Sequence, residues 1–119
     1  QLADPFPIFI SSDVSLMCSK FEAMGRVTVE SMSVGTPVIG FNSSGTQELI
    51  KHNETGLLYD GSVEDLANQM ERLLLDVELR GKLAYNAWNW AYQTCTQEIY
   101  GERIYNIISA LVKNIRINK

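Results

Sequence analysis

Nine residues constrain this chain more than any others. The stretch Glu22-Ala-Met-Gly-Arg-Val-Thr-Val-Glu30 sets two glutamates on either side of a glycine at the predicted start of a helix. Apolar Val14, Leu16, Met17 and Cys18 come just before it, and Gly35-Thr-Pro37 comes just after. A strand, a glycine turn and a helix form an anion-binding device. The first N–H groups of the helix point outward without partners, and the dipole favours negative charge. A carboxylate two turns into the same helix suits a neutral diol, such as a ribose, beside that anion. The combination points to a sugar nucleotide.

The rest of the chain arranges itself around that unit. After Asp4-Pro5, the residues Phe6, Phe9 and Ile10 fall at helical spacing and predict a short helix before Ser12-Asp13. Val14 to Cys18 reads as a strand buried on both faces, as short apolar runs in covered parallel sheets are. Ser19 to Glu22 is the loop at its carboxyl end. The central helix is expected from about Gly25 to Val34, with Gly35 at the stop position and Pro37 sealing it. Val38-Ile-Gly-Phe41 is a second strand, and Asn42-Ser-Ser-Gly-Thr46 a turn-rich loop before a helix of one to two turns through Gln47, Glu48, Leu49 and Ile50. Another loop, Lys51 to Gly56, leads to the short edge-like strand Leu57-Leu-Tyr59. Strands joined by helices imply right-handed crossovers and an open parallel sheet. Ligands of such sheets sit outside the carboxyl ends of the strands, where the loops at 19–25 and 42–48 fall.

From Ser62 onward the pattern is helical. Ser62-Val-Glu-Asp65 has the form of a capping box. Val63, Leu66, Ala67, Met70, Leu73, Leu74 and Val77 make an apolar stripe, and a second helix from about Glu78 repeats the spacing at Leu79, Leu83, Ala87 and Ala91. A third, after Thr96, carries Tyr100, Ile104, Ile107, Ile108, Leu111 and Ile115 on one face. Trp88, Trp90, Tyr92 and Tyr100 form an aromatic group expected to serve helix packing.

Composition narrows the function classes. With 119 residues, 45% hydrophobic and 20% charged, the chain has material for one compact core. A net charge of −4 argues against a general nucleic-acid surface, which needs excess Lys and Arg. Cys18 and Cys95 lie far apart without metal-ligand spacing and are expected to be two buried thiols of a cytoplasmic protein. His52 is the only histidine, which leaves little material for a metal site, and it reads as a loop residue rather than a base. No apolar run approaches the roughly 20 residues of a transmembrane helix, and no secretory leader is expected.

The ordered motifs resemble one family, the group 1 (family 4) glycosyltransferases of two-domain GT-B architecture. Glu22 and Glu30 match its E-x7-E signature. Met32 and Gly35-Thr-Pro-Val-Ile39 match the continuation, Ser44-Gly45-Thr-Gln-Glu48 is similar to its G-G-x-x-E loop, and Gly56-Leu-Leu-Tyr59 to its G-x-L segment. Leu75 to Leu79 and the helices after it follow the family's usual ending. Ser44 stands where the first glycine of the pair is common, and Ala23 where Gly or Pro is common.

The resemblance implies roles for named residues. Glu30 accepts hydrogen bonds from the donor's ribose hydroxyls, since an ionised carboxylate offers two acceptor oxygens to a vicinal diol. Met24, Gly25, Arg26 and Val27 belong to the same donor nucleotide-sugar site, with backbone N–H groups around Met24, Gly25 and Arg26 facing the pyrophosphate. Arg26 fits a phosphate contact and an ordinary surface position equally well, and Glu48 fits either a ligand contact or the first turn of its helix. Glu22 reaches the transferred sugar near its anomeric carbon, in the catalytic position. Transfer in the family retains anomeric configuration and needs neither metal nor cofactor.

The fold expected is α/β: a partial Rossmann-like parallel sheet, the second half of a GT-B C-terminal domain, with C-terminal helices. Residues 1–61 would form the β/α half and 62–119 the helical segment. Three strands fall short of the five or six of a complete domain, so the first half, the basic diphosphate clamp and the acceptor domain are expected upstream of Gln1. The chain alone is then expected to be inactive. Its parent would be cytoplasmic or peripheral at a membrane, with a UDP-, GDP- or ADP-sugar as donor and a glycan, lipid or small molecule as acceptor. Self-association of the chain through its last helix is a further expectation. The alternatives are a nucleotide-binding module without transfer activity and, more remotely, a flavodoxin-type signalling domain.

Overall fold

The structure, a computed structural model, describes residues 6–20, 25–94, 105–106 and 108–113. The elements are α1 (Phe6–Ser11), β1 (Ser15–Met17), α2 (Arg26–Ser33), β2 (Val38–Phe41), α3 (Ser44–Leu49), β3 (Leu57–Tyr59), α4 (Val63–Leu75) and α5 (Val77–Thr94). The strands form one parallel sheet in the order β1-β2-β3, with Leu16 beside Ile39 and Ile39 beside Leu57. This is the expected α/β architecture.

Strand alternation divides the core. Val38 packs on one face of the sheet with Met17, Met32, Ile50, Ala87 and Ala91, while Ile39 packs on the other with Leu57, Tyr59, Leu73 and Leu83. The predicted stripe of α5 therefore serves both faces: Leu83 belongs to one cluster, Ala87 and Ala91 to the other. Gly40, between the two core residues Ile39 and Phe41, lets α3 approach. A Cβ there would stand 2.5 Å from Thr46 Cγ2 and 2.7 Å from Ile50 Cδ1.

The central helix ends as its sequence predicts. Gly35 takes φ 77°, its N–H donates to Met32 O at 3.0 Å, and the Thr36 N–H donates to Ser31 O at 3.1 Å. The two bonds are those of a Schellman motif. The Thr36 hydroxyl then donates to Phe9 O at 2.6 Å and ties α1 to this turn.

Several expectations need correction. β1 is not buried on both faces: Leu16 is 43% exposed, because α4 packs over β3 and β2 and leaves that side of β1 open. Cys18 is exposed rather than buried, standing where the chain leaves the sheet; Cys95 lies outside the described residues. α3 begins at Ser44, not Gln47, since Ser43 already takes the extended conformation of an N-cap. The α4 stripe is narrower than its pattern. Leu66, Met70 and Leu73 face the core, whereas Val63, at 83% exposure, and Leu74 and Val77 face solvent.

The aromatic group divides in the same way. Trp90 packs on the core, but Trp88 and Tyr92 stack on each other in solvent, ring centres 5.7 Å apart, with Tyr85 alongside. Tyr100 lies outside the described residues. On the third helix, Tyr105, Ile108, Leu111 and Val112 are exposed, while Tyr100, Ile104, Ile107 and Ile115 are outside the description.

Candidate functional site

Side chains and backbone knit the carboxyl ends of the three strands together. The Asn42 N–H donates to Tyr59 O at 2.9 Å, and the Ser43 hydroxyl donates to Lys20 O at 3.1 Å. Burial first, then the neighbouring Cys18 side chain, pushes the Tyr59 phenol from 10.0 up to about 12. Neither the Cys18–Tyr59 pair nor the Ser43–Lys20 tie is legible in the sequence, because both join residues distant along the chain.

Helix α2 opens at this edge. Its N-cap is Gly25 in the left-handed conformation, φ 60° and ψ 29°. The backbone is what calls for glycine there, since L-residues rarely adopt it; a Cβ would also meet the flexible tip of Leu49. The first intrahelical bond runs from the Val29 N–H to Gly25 O at 3.0 Å, so the N–H groups of Arg26, Val27 and Thr28 have no acceptor within the helix. No acidic residue occupies the first turn. The helix therefore presents donors and a positive dipole end with no carboxylate in its own first turn to compete for them.

Glu30 sits four residues further along, about 6 Å up the axis at 1.5 Å per residue. Its side chain is only 17% exposed, and its Oε1 accepts from Arg26 Nε at 2.7 Å. Arg26 itself is 86% exposed and Val27 is exposed. The fold thus gathers Gly25, Arg26, Val27 and Glu30 on one helix start, while Glu22 and Met24 lie outside the described residues. The ion pair was hidden in plain i,i+4 spacing. Two buried hydroxyls, Thr28 Oγ1 in α2 and Thr46 Oγ1 in α3, have no hydrogen-bond partner among the described residues.

His52 accepts from the Leu58 N–H at its Nδ1, 2.9 Å away, which makes it a clasp on β3 as its loop position suggests. Glu48 is exposed near the end of α3 rather than in its first turn, because the helix starts earlier than expected, at Ser44. No group of three metal-ligating side chains exists among the described residues. A concavity of about 600 Å³ between the end of α4 and the start of α5, lined by Arg72, Asp76 and Glu78 among others, shares no residue with the α2 site.

A parallel sheet with a glycine-capped helix N-terminus at its carboxyl edge is a Rossmann-like α/β arrangement. The sequence model described as "Glycosyl transferases group 1" matches residues 6–90, and the chain belongs to that family. It is 38% identical over 82 residues to the lipopolysaccharide core biosynthesis glycosyltransferase LpsE of Rhizobium meliloti, covering 68% of this chain and 24% of that protein. To the D-inositol 3-phosphate glycosyltransferase of Paenarthrobacter aurescens it is 35% identical over 108 residues, 84% of this chain and 26% of the other. The chain spans about a quarter of the length of these relatives.

Solved structures share the fold. The Anabaena protein HepE in complex with UDP-glucose superposes with a TM-score of 0.85 at 28% identity, over 92% of this chain and 31% of that one. The sucrose-phosphate synthase of Thermosynechococcus elongatus gives 0.84 at 27% identity, over 90% and 27%.

Proposed function

We propose that this chain is the donor-binding part of a retaining glycosyltransferase, which moves a sugar from a nucleotide diphosphate to a glycan, lipid or small-molecule acceptor. One observation carries the reading: the start of α2 offers three N–H donors without helical acceptors, with a half-buried carboxylate about 6 Å along the same helix. That separation suits a diphosphate on the donors and a ribose diol on Glu30. Similarity to a protein crystallised with UDP and with UDP-glucose supports it.

The chemistry follows from where charge develops. As the glycosidic bond to the diphosphate lengthens, negative charge grows on the leaving oxygens and positive charge on the sugar. Fixed N–H dipoles at a helix start stabilise the first without reorganising. Glu22, next to the donors in sequence, is assigned to the sugar's hydroxyls near the anomeric carbon, where a carboxylate stabilises the second. The transfer is proposed to proceed without metal or cofactor, the remaining diphosphate charge being met by cationic residues of the larger protein. That protein also supplies the acceptor side, so this chain alone is proposed to be inactive. A cytoplasmic or membrane-peripheral setting is part of the proposal; no helix among the described residues is long and apolar enough to cross a membrane.

NMR titration of the chain with UDP, GDP and ADP, repeated on Glu30→Ala, tests the donor site. Shifts clustered at residues 25–30 and 42–48 that vanish in the variant are expected. A folded sample silent to all three nucleotides rejects it. Retention is read separately, from the anomeric proton of the first product formed by the whole protein.

A further inference from the structure

We infer that Arg26 is a positioning residue, which holds the Glu30 carboxylate in the orientation that receives the donor's ribose hydroxyls. The inference rests on the donor-site reading above and concerns how that site is built. Arg26 stands at the first position of α2, where a cation opposes the helix dipole. Arginine placed four residues before glutamate is also the weaker order for a helical ion pair. Helix stability alone therefore favours the reverse arrangement.

Geometry supplies a reason for the observed one. Glu30 is the enclosed partner at 17% exposure and Arg26 the open one at 86%, so the arginine covers the acid and the acid does not anchor the arginine in a core. A single contact, Nε to Oε1 at 2.7 Å, engages one carboxylate oxygen. A carboxylate has about four lone-pair sites, so Oε2 and the second lone pair of Oε1 remain as acceptors for a vicinal diol. Glutamate otherwise loses rotamer freedom when it binds. A guanidinium already in place reduces that loss before the nucleotide arrives.

The test compares UDP with 2′,3′-dideoxy-UDP on the wild-type chain, Arg26→Ala, Arg26→Lys, Glu30→Ala and the Arg26→Ala/Glu30→Ala double variant, each by NMR titration. Removing a positioning hydrogen bond should weaken UDP about fivefold. The dideoxy analogue, which has no diol to present, should bind Arg26→Ala and wild type alike. Arg26→Lys should recover part of the loss, and the double variant should bind no worse than Glu30→Ala.

Equal weakening of both ligands would place Arg26 on the phosphates and overturn the inference. Tighter UDP binding in Arg26→Ala would make the arginine a competitor for Glu30, and unchanged binding would make it a bystander; either overturns it too. If Glu30→Ala binds UDP like wild type, or no nucleotide shifts the wild-type spectrum, the donor site itself is rejected and the inference falls with it.

Discussion

The junctions β1–α2 and β3–α4 both carry the chain from the carboxyl edge of one sheet into a helix, yet their parts differ. At β3–α4 the Ser62 hydroxyl accepts from the Asp65 N–H at 3.0 Å, and Asp65 Oδ2 accepts from the Asp60 N–H at 2.8 Å. Asp60 Oδ1 in turn accepts from both the N–H and the hydroxyl of Ser62. Glu64 and Asp65 place acid in the first turn. That helix start is satisfied by its own side chains and repels an anion. At β1–α2 the cap is a glycine with no side chain, the first turn has no acid, and the enclosed carboxylate stands further along. The start of α4 is closed by its own side chains, and the start of α2 is the one proposed above to receive the donor.

Four substitutions or conditions sharpen that contrast. Gly25→Ala should cost about 1–2 kcal/mol, the price of holding an L-residue at left-handed φ, in a urea titration. The clash itself falls on the tip of Leu49, which can turn aside. Nucleotide-induced shifts should disappear with it. An Ala variant as stable as wild type would show that the open junction has no need of its strained turn.

Glu30→Ala should weaken UDP about tenfold, as expected for a lost charge-assisted hydrogen bond, and leave stability within about 0.5 kcal/mol. A large fall in melting temperature would instead mark Glu30 as structural. Ser62→Ala should do the opposite. It removes an N-cap worth about 1 kcal/mol and should leave nucleotide shifts unchanged. An altered nucleotide response would mean that the two junctions are coupled.

The smallest effect belongs to acid. Hydrogen bonds from the Ser62 side chain and then its backbone hold the Asp60 carboxyl below its usual 3.8. A carboxyl with a lowered folded pKa contributes stability that is present above 3.8 and lost as pH falls through the folded value. The start of α4 should therefore loosen only in strong acid, seen as faster amide exchange at Asp65. Replacing Asp60 with Asn should remove that dependence.

Much of this contrast was legible beforehand, and the reason is local. Gly25 before an apolar-periodic run, Gly35-Thr-Pro37 after it and Ser62 three residues before Asp65 act through backbone within one turn, so sequence alone places them. Patterns that depend on what lies opposite were read less well. Val63 shares the helical period of Leu66 and Leu73 but lies at the rim of α4, beyond the sheet's reach, and is solvated. Leu16 alternates correctly in β1 yet is left exposed by the described residues. Ser44-Gly45-Thr46 has the composition of a loop and is helical, because the extended Ser43 starts the turn early. At the site, the Glu30 position was read from the motif, but its engagement by Arg26 was not, since that spacing occurs on many solvated helix faces.

The most direct test of the open junction is a crystal structure of this chain with UDP. The account predicts diphosphate oxygens within hydrogen-bond distance of the Arg26 and Val27 N–H groups and the ribose diol on Glu30. A nucleotide seated instead in the concavity between α4 and α5, or at the acidic start of α4, would contradict it.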